Sequence, residues 1–271
     1  MENYQIETHF IPFNFDHSIR RIRVLLPTNY ESSAINYPVL YMHDGQNALI
    51  DEESYSKISW GIGEALQKTQ LDDKWIVVMV DHAQDRRIND YCPFSVKPCF
   101  VHNGIAFEGN EGQYYADFLV NTIKPIIDET YRTNPKRSHT AMIGSSLGGL
   151  ISAYIASKYQ SVFSKIGVFS LASSFCEEEF LTFILGKPFK KSSTFYLQVG
   201  TNEALDGHKK EDTPKRSQVI LNSTLNYYQA LVTAGINISD ITLKIGIDEI
   251  HSELVWREYL PDFLKLISLN L

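Results

Sequence analysis

The stretch His139-Thr-Ala-Met-Ile-Gly-Ser-Ser-Leu-Gly-Gly-Leu150 decides how this chain is read. It passes from apolar residues into a Gly/Ser cluster and back into an apolar segment. Gly144-Ser145-Ser146-Leu147-Gly148 fits G-x-S-x-G, and only with Ser146 at the centre. With glycine at about 7% of residues and serine taken as similar, about one chain in ten of this length matches by chance. The setting carries more than the pattern does. A strand-like run precedes the cluster and a helix-like run follows, the strand–turn–helix context that a nucleophile elbow needs. A sharp turn would push the Ser146 hydroxyl out at the carboxyl end of a sheet and leave Ser145 facing into the fold. The glycines leave room for strand and helix to approach, and the Leu147 amide would stand at a helix N-terminus, where it can stabilise an oxyanion.

Outward from this point, short apolar runs alternate with longer helical patterns. Strands are expected at "IRRIRVLLP", "YPVLYMHD", "WIVVMVD" (75–81), "HTAMIGS", "IGVFSL" (166–171), "TFYLQVG" (194–200) and "ITLKIGI" (241–247). The β-branched run at 75–81 is typical of a strand buried on both faces. Helices are expected over 113–131, 147–159, 218–234 and 252–266, with Pro125 and Pro261 interrupting the first and last. Interleaved strands and helices predict an α/β fold: a mostly parallel sheet covered on both faces. The first two strands, with no helix between them, predict an antiparallel edge at the N-terminal side. Residues 82–112 show neither period and contain Pro93 and Pro98; so long a loop is often functional, and it is expected to fold over the site. No repeat or linker divides residues 1–271, so a single domain is expected.

A serine hydroxyl needs a base. His251 follows the last predicted strand and precedes the last helix, which puts it at the same sheet edge as Ser146. An acid should fall between them after a strand, and "YLQVGTNEALDG" offers Glu203 and Asp206. Glu203, nearer the strand end, is preferred, with Asp206 in reserve. A second oxyanion donor is expected from the loop after an early strand, at the Gly45 or Gln46 amide. His43, Asp44, Asp81 and His82 also follow strands and could be weighed as metal ligands. Adjacent residues on extended backbone point to opposite faces and no third motif completes a site, so no metal and no cofactor are expected.

Composition narrows the field. Of 271 residues, 44% are hydrophobic and 12% aromatic, enough to bury a sizeable core. The net charge of −7 and the lack of a Lys/Arg stripe argue against nucleic acid. The most basic piece, His208 to Arg216, is broken by Glu211 and Asp212 and reads as a solvated loop. No apolar run reaches the about 18 residues of a membrane span. "MENYQIETHFIPF" has no basic n-region or apolar h-region, so no signal peptide is expected and the expected location is cytoplasmic. Cys92, Cys99 and Cys176, an odd number without CxxC, read as free thiols.

Taken together, "RRIRVLLPTNY", "YPVLYMHDGQN", "DRRINDYCPF", "FLVNTIKPIIDETYRT", "IGSSLGGLISAY", "YLQVGTNE" and "IHSELVWREYLPDFL" resemble the putative esterase (esterase D-like) family of α/β-hydrolases. That family includes feruloyl and acetylxylan esterases and cytoplasmic siderophore esterases. The resemblance implies Ser146 as nucleophile, His251 as general base and then acid, Glu203 as orienting acid, and the Leu147 and Gly45–Gln46 amides as oxyanion hole. It also places Arg86, Arg87 and Tyr91 beside the site. Aromatic residues of 91–115, Trp60 and the segment 170–175 are candidate pocket walls. The expected function is a serine carboxylesterase acting on a small-molecule ester, with no nucleic-acid or membrane partner and a homodimer left open. A siderophore trilactone esterase, which would want basic residues such as Arg86 and Arg87 in its cleft, is the alternative; a non-catalytic binding protein on the same scaffold is another.

Overall fold

The computed structural model describes residues 4–102, 105–190, 192–203 and 213–269. Among them, eight strands form one sheet: β1 (Ile6–Phe13), β2 (Ser18–Leu25), β3 (Val39–His43), β4 (Ile76–Val80), β7 (Thr140–Ser145), β8 (Lys165–Phe169), β9 (Thr194–Gly200) and β10 (Ile241–Gly246). Their order is β1-β2-β4-β3-β7-β8-β9-β10. From β4 to β10 every neighbouring pair is parallel, whereas β1 pairs with β2 and β2 with β4 antiparallel. This is the mostly parallel α/β-hydrolase sheet with an antiparallel N-terminal edge. The edge is built differently from the simplest sequence expectation, because β2 and β3 are not neighbours. The preceding segment β1 folds back on β2, and β4 separates β2 from β3.

Each central strand feeds two cores. Val39 and Tyr41 of β3 pack on one face and Leu40 and Met42 on the other; Val78 and Val77 of β4 divide in the same way. This is the period-two alternation of a strand, and it explains why "WIVVMV" has no polar side. Each such side chain, fully buried, contributes about 1.5–3 kcal/mol relative to exposure. Helices α1 (Ile62–Thr69) and α8 (Glu253–Ser268) cover one face, through Leu66, Trp256, Leu260 and Phe263. The other face takes α3 (Gly112–Phe118), α4 (Lys124–Thr130), α5 (Leu147–Lys158), α6 (Glu177–Leu185) and α7 (Thr213–Thr233). Residues 147–157 of α5 are all buried, as a helix apolar all round should be.

Two interruptions have local causes. The helix expected over 113–131 forms, but a π-turn at Leu119–Ile123 joins α3 to α4. Pro125 lacks an N–H and its ring would press on the carbonyl of Asn121; the wider turn relieves that clash. Residues 82–112 are not one long loop. They contain the short helix α2 (Arg87–Tyr91) and a hairpin of β5 (Ser95–His102) and β6 (Ile105–Gly109). Phe94, at the base of this hairpin, packs against Tyr154 of α5 and Phe183 of α6. Cys92 and Cys176 are free and buried, and the Cys99 side chain lies outside those described.

Candidate active site

Because β3, β7, β8, β9 and β10 run parallel and in register, their carboxyl ends share one edge. That edge carries Asp44–Asn47, Ser146, Ser170, Glu203 and His251. The chain winds outward from β3 to β4 on one side and from β7 to β8 on the other, so the β3–β7 gap is the switch point where such sheets leave a crevice.

Ser146 sits in the turn between β7 and α5 with φ 57° and ψ −123°, a conformation L-residues seldom adopt. Its N–H donates to the Phe169 carbonyl at 2.8 Å, and its carbonyl accepts from the Leu150 N–H at 3.1 Å and the Ala172 N–H at 3.3 Å. These bonds tie the strained turn to its own helix and to the end of β8. A Cβ on Gly144 would overlap the Gly148 carbonyl, so strand and helix can cross this closely only with glycine there. Ser146 is half-buried and Ser145 is buried. Leu147 is the first residue of α5, where an amide has no acceptor within the helix.

Glu203 and His251 meet, Nδ1 to Oε2 at 2.6 Å. The other carboxylate oxygen, Oε1, accepts from the Gly200 N–H at 2.6 Å and from the Ser170 hydroxyl at 2.7 Å. Ser170 in turn accepts from the Trp256 indole N–H at 2.8 Å. The turns bearing acid and base are laced together: Asn202 N–H donates to the Glu249 carbonyl and Thr201 N–H to the Gly246 carbonyl, both at 2.9 Å. His251 stands just before Ser252, which caps α8 by accepting from the Leu254 N–H at 3.2 Å. Asp206 and the charged piece 208–212 lie outside the described residues.

Across the gap, β3 turns through Asp44, in the left-handed region at φ 54°, into a 3-10 turn of Gly45–Asn47. Arg87 grips the Asp44 carboxylate with Nε to Oδ1 at 2.6 Å and Nη2 to Oδ2 at 2.7 Å. Burial alone would push the Asp44 carboxyl up; Arg87 outweighs it and holds the group below its ordinary value. The Asn47 amide donates to Glu253 Oε1 at 3.1 Å and its oxygen accepts from the Tyr55 N–H at 3.1 Å, which joins this turn to α8 two residues past His251. Beneath lies buried His43, its Nδ1 2.9 Å from the Tyr115 hydroxyl. Burial lowers its pKa to about 4, so it is neutral at physiological pH.

Two of the remaining sequence candidates, Trp60 and Tyr91, are buried, and Arg86 is held by carboxylates of the chain itself. Trp60 is 3% exposed, stacked on Trp256 and edge-on to Phe169. Tyr91 is fully buried, its hydroxyl accepting from the Asp44 N–H at 3.2 Å. Arg86 pairs with Asp16 at 3.0 Å and with Glu111. Of the side chains weighed as metal ligands, His43 contacts Tyr115, Asp44 pairs with Arg87, Asp81 pairs with Arg21 and Arg23, and His82 Nδ1 accepts from the Gln84 N–H at 2.8 Å. Among the described residues no three His, Cys, Asp or Glu side chains converge as a metal site, and no helix is long and apolar enough to cross a membrane. Sequence reasoning missed Trp256, Asn47 and Glu253, and had Ser170 only as the start of a candidate wall. Each acts by a contact distant in sequence, so no local spacing marks it.

A family model described as "Putative esterase" matches residues 17–227. The chain is 24% identical over 233 residues to the uncharacterized protein YbbA of Bacillus subtilis (strain 168), with 86% of each chain covered. Among solved structures it is similar to an IroE-like serine hydrolase from Shewanella oneidensis, with TM-score 0.72, 19% identity, and 97% of this chain and 79% of that one covered. It is also similar to a ferulic acid esterase, with TM-score 0.70, 16% identity and 98% of both chains covered. At such identities the structural likeness speaks to the fold.

Proposed function

The chain belongs to the Putative esterase family and is a hydrolase of ester bonds, and we propose that it is a serine carboxylesterase acting through an acyl-enzyme on Ser146. The observation that carries this reading is the contact of His251 Nδ1 with buried Glu203. A carboxylate on Nδ1 selects the tautomer whose basic nitrogen is Nε2, and it stabilises the imidazolium formed when Nε2 takes a proton. In the proposed reaction His251 takes the Ser146 hydroxyl proton as the oxygen attacks the ester carbonyl. The Leu147 amide and a Gly45 or Gln46 amide receive the oxyanion. His251 then returns the proton to the leaving alcohol, and the same base activates the water that cleaves the acyl-enzyme.

Support comes from the strained turn at Ser146, the helix start at Leu147 and the tethered turn after β3. The structural likeness to an IroE-like serine hydrolase and a ferulic acid esterase agrees with it. A small ester is favoured over an acidic siderophore because Arg86 and Arg87 are both engaged by carboxylates of the chain itself. Fluorophosphonate labelling tests the mechanism. Wild type and Ser145→Ala should label and Ser146→Ala should not; labelling of Ser146→Ala at the wild-type rate would sink the proposal. Turnover of p-nitrophenyl esters by the unlabelled protein separates an enzyme from a binding protein.

A further inference from the structure

We propose that Ser170 and Trp256 are positioning residues that lock the Glu203 carboxylate in the orientation that holds His251. The inference rests on the serine-esterase reading above. Four side chains close a ring: His251 to Glu203 Oε2, Glu203 Oε1 to Ser170, Ser170 to the Trp256 indole, and Trp256 back to His251. In the last contact the two aromatic rings lie 5.0 Å apart and nearly perpendicular, at 84°.

Hydrogen-bond capacity gives the ring a direction. An indole N–H only donates, so the Ser170 oxygen must accept from Trp256. The single Ser170 proton is then the one directed at Glu203 Oε1, 2.7 Å away. Together with the Gly200 N–H, two donors hold Oε1 and leave Oε2 for the imidazole. A glutamate's terminal torsion is soft on its own, so this clamp supplies what the side chain lacks. Ser170 is fully buried and stands at φ 46°, a left-handed conformation that glycine would occupy without strain. Its N–H donates to the Gln198 carbonyl at 2.7 Å, which fixes the hydroxyl beside the end of β9. A serine at this position gains the turn nothing in backbone ease; what it adds is the proton to Glu203.

Loosening the clamp should slow the chemical step and leave substrate binding alone. The test uses Ser170→Gly, which keeps the backbone relaxed, Trp256→Phe, which keeps an aromatic ring, and the double variant. Melting temperature confirms folding, and kcat, KM and the fluorophosphonate labelling rate at Ser146 are measured with p-nitrophenyl acetate as substrate. Ser170→Gly should lower kcat by about 10- to 100-fold, the worth of a hydrogen bond to a charged group, with KM within roughly twofold of wild type. Trp256→Phe should lower kcat by a smaller factor, and the double variant should be no worse than Ser170→Gly, because the indole acts through the hydroxyl. A folded Ser170→Gly with wild-type kcat, or losses that multiply in the double variant, would overturn the proposal. If Ser146→Ala labels like wild type, the serine reading itself fails; normal Ser146 labelling with an unchanged rate in Ser170→Gly overturns only the positioning role.

Discussion

The Arg87 guanidinium closes on the Asp44 carboxylate as a two-bond fork, and Asp44 is the residue at which β3 bends into the proposed oxyanion turn. A helix of the segment that follows β4 thereby clamps the loop that follows β3. Asp44 is almost fully buried, while about a quarter of the Arg87 side chain meets solvent. Arg87→Met leaves that carboxylate buried without its partner and should cost about 3 kcal/mol in urea denaturation. Adding Asp44→Asn should restore part of the loss, since the uncompensated charge is then gone. The Asp44 carboxyl titrates below its ordinary value of 3.8, so its contribution is full above that pH and is lost as pH falls below it.

Glu203→Gln keeps the shape of the side chain but cannot hold the imidazolium. It should lower kcat by roughly 10²–10⁴ with little change in KM. The check is steady-state hydrolysis of p-nitrophenyl acetate. Full activity in this variant, with loss in Asp206→Asn, would move the acid assignment to Asp206.

His43 sets an acid limit on stability. Its pKa falls from 6.5 to about 4 on folding, chiefly because it is buried. Between these values the unfolded chain binds the extra proton, so stability rises with pH through this window and is lost as pH drops from about 6.5 toward 4. The effect amounts to at most about 3 kcal/mol. In His43→Asn the dependence of unfolding free energy on pH over that range should flatten, measured by denaturation at several pH values. An unchanged slope would assign the acid sensitivity elsewhere.

At the elbow, Gly144→Ala would drive a methyl group into the Gly148 carbonyl. The backbone has to move, because the two nearest atoms are the Gly148 carbonyl carbon and oxygen, and shifting the Ser152 hydroxyl, 2.9 Å from the added methyl, would not relieve them. A lowered melting temperature and loss of Ser146 labelling are expected together. A variant that labels at the wild-type rate would show that the strand–helix crossing tolerates more space than its geometry allows.

Much of the architecture was legible because its signals are local. Short apolar runs marked the seven strands from β2 onward in the main sheet, and the helical period marked the helix over 113–131, since burial on both faces or on one shows in the local sequence. Short helices such as α1 and α6 offer too few turns for a period to stand out. β1 is half-exposed along its length, with Phe10 facing solvent, so its alternation carries little contrast.

The sequence by itself determined the α/β class, the single G-x-S-x-G turn that singles out Ser146 as the candidate nucleophile, and a chain order of Ser146, an acid at Glu203 or Asp206, and His251. Each depends on neighbours a few residues apart. Only the tertiary structure decided that β4 stands between β2 and β3, that Glu203 meets His251, that Arg87 is spent on Asp44, and that Ser170 and Trp256 stand behind the acid. Those contacts join residues tens of positions apart, brought together by parallel strands ending at one edge. Local periodicity reports which face of an element is buried; it carries no information about which distant side chain will be there to meet it.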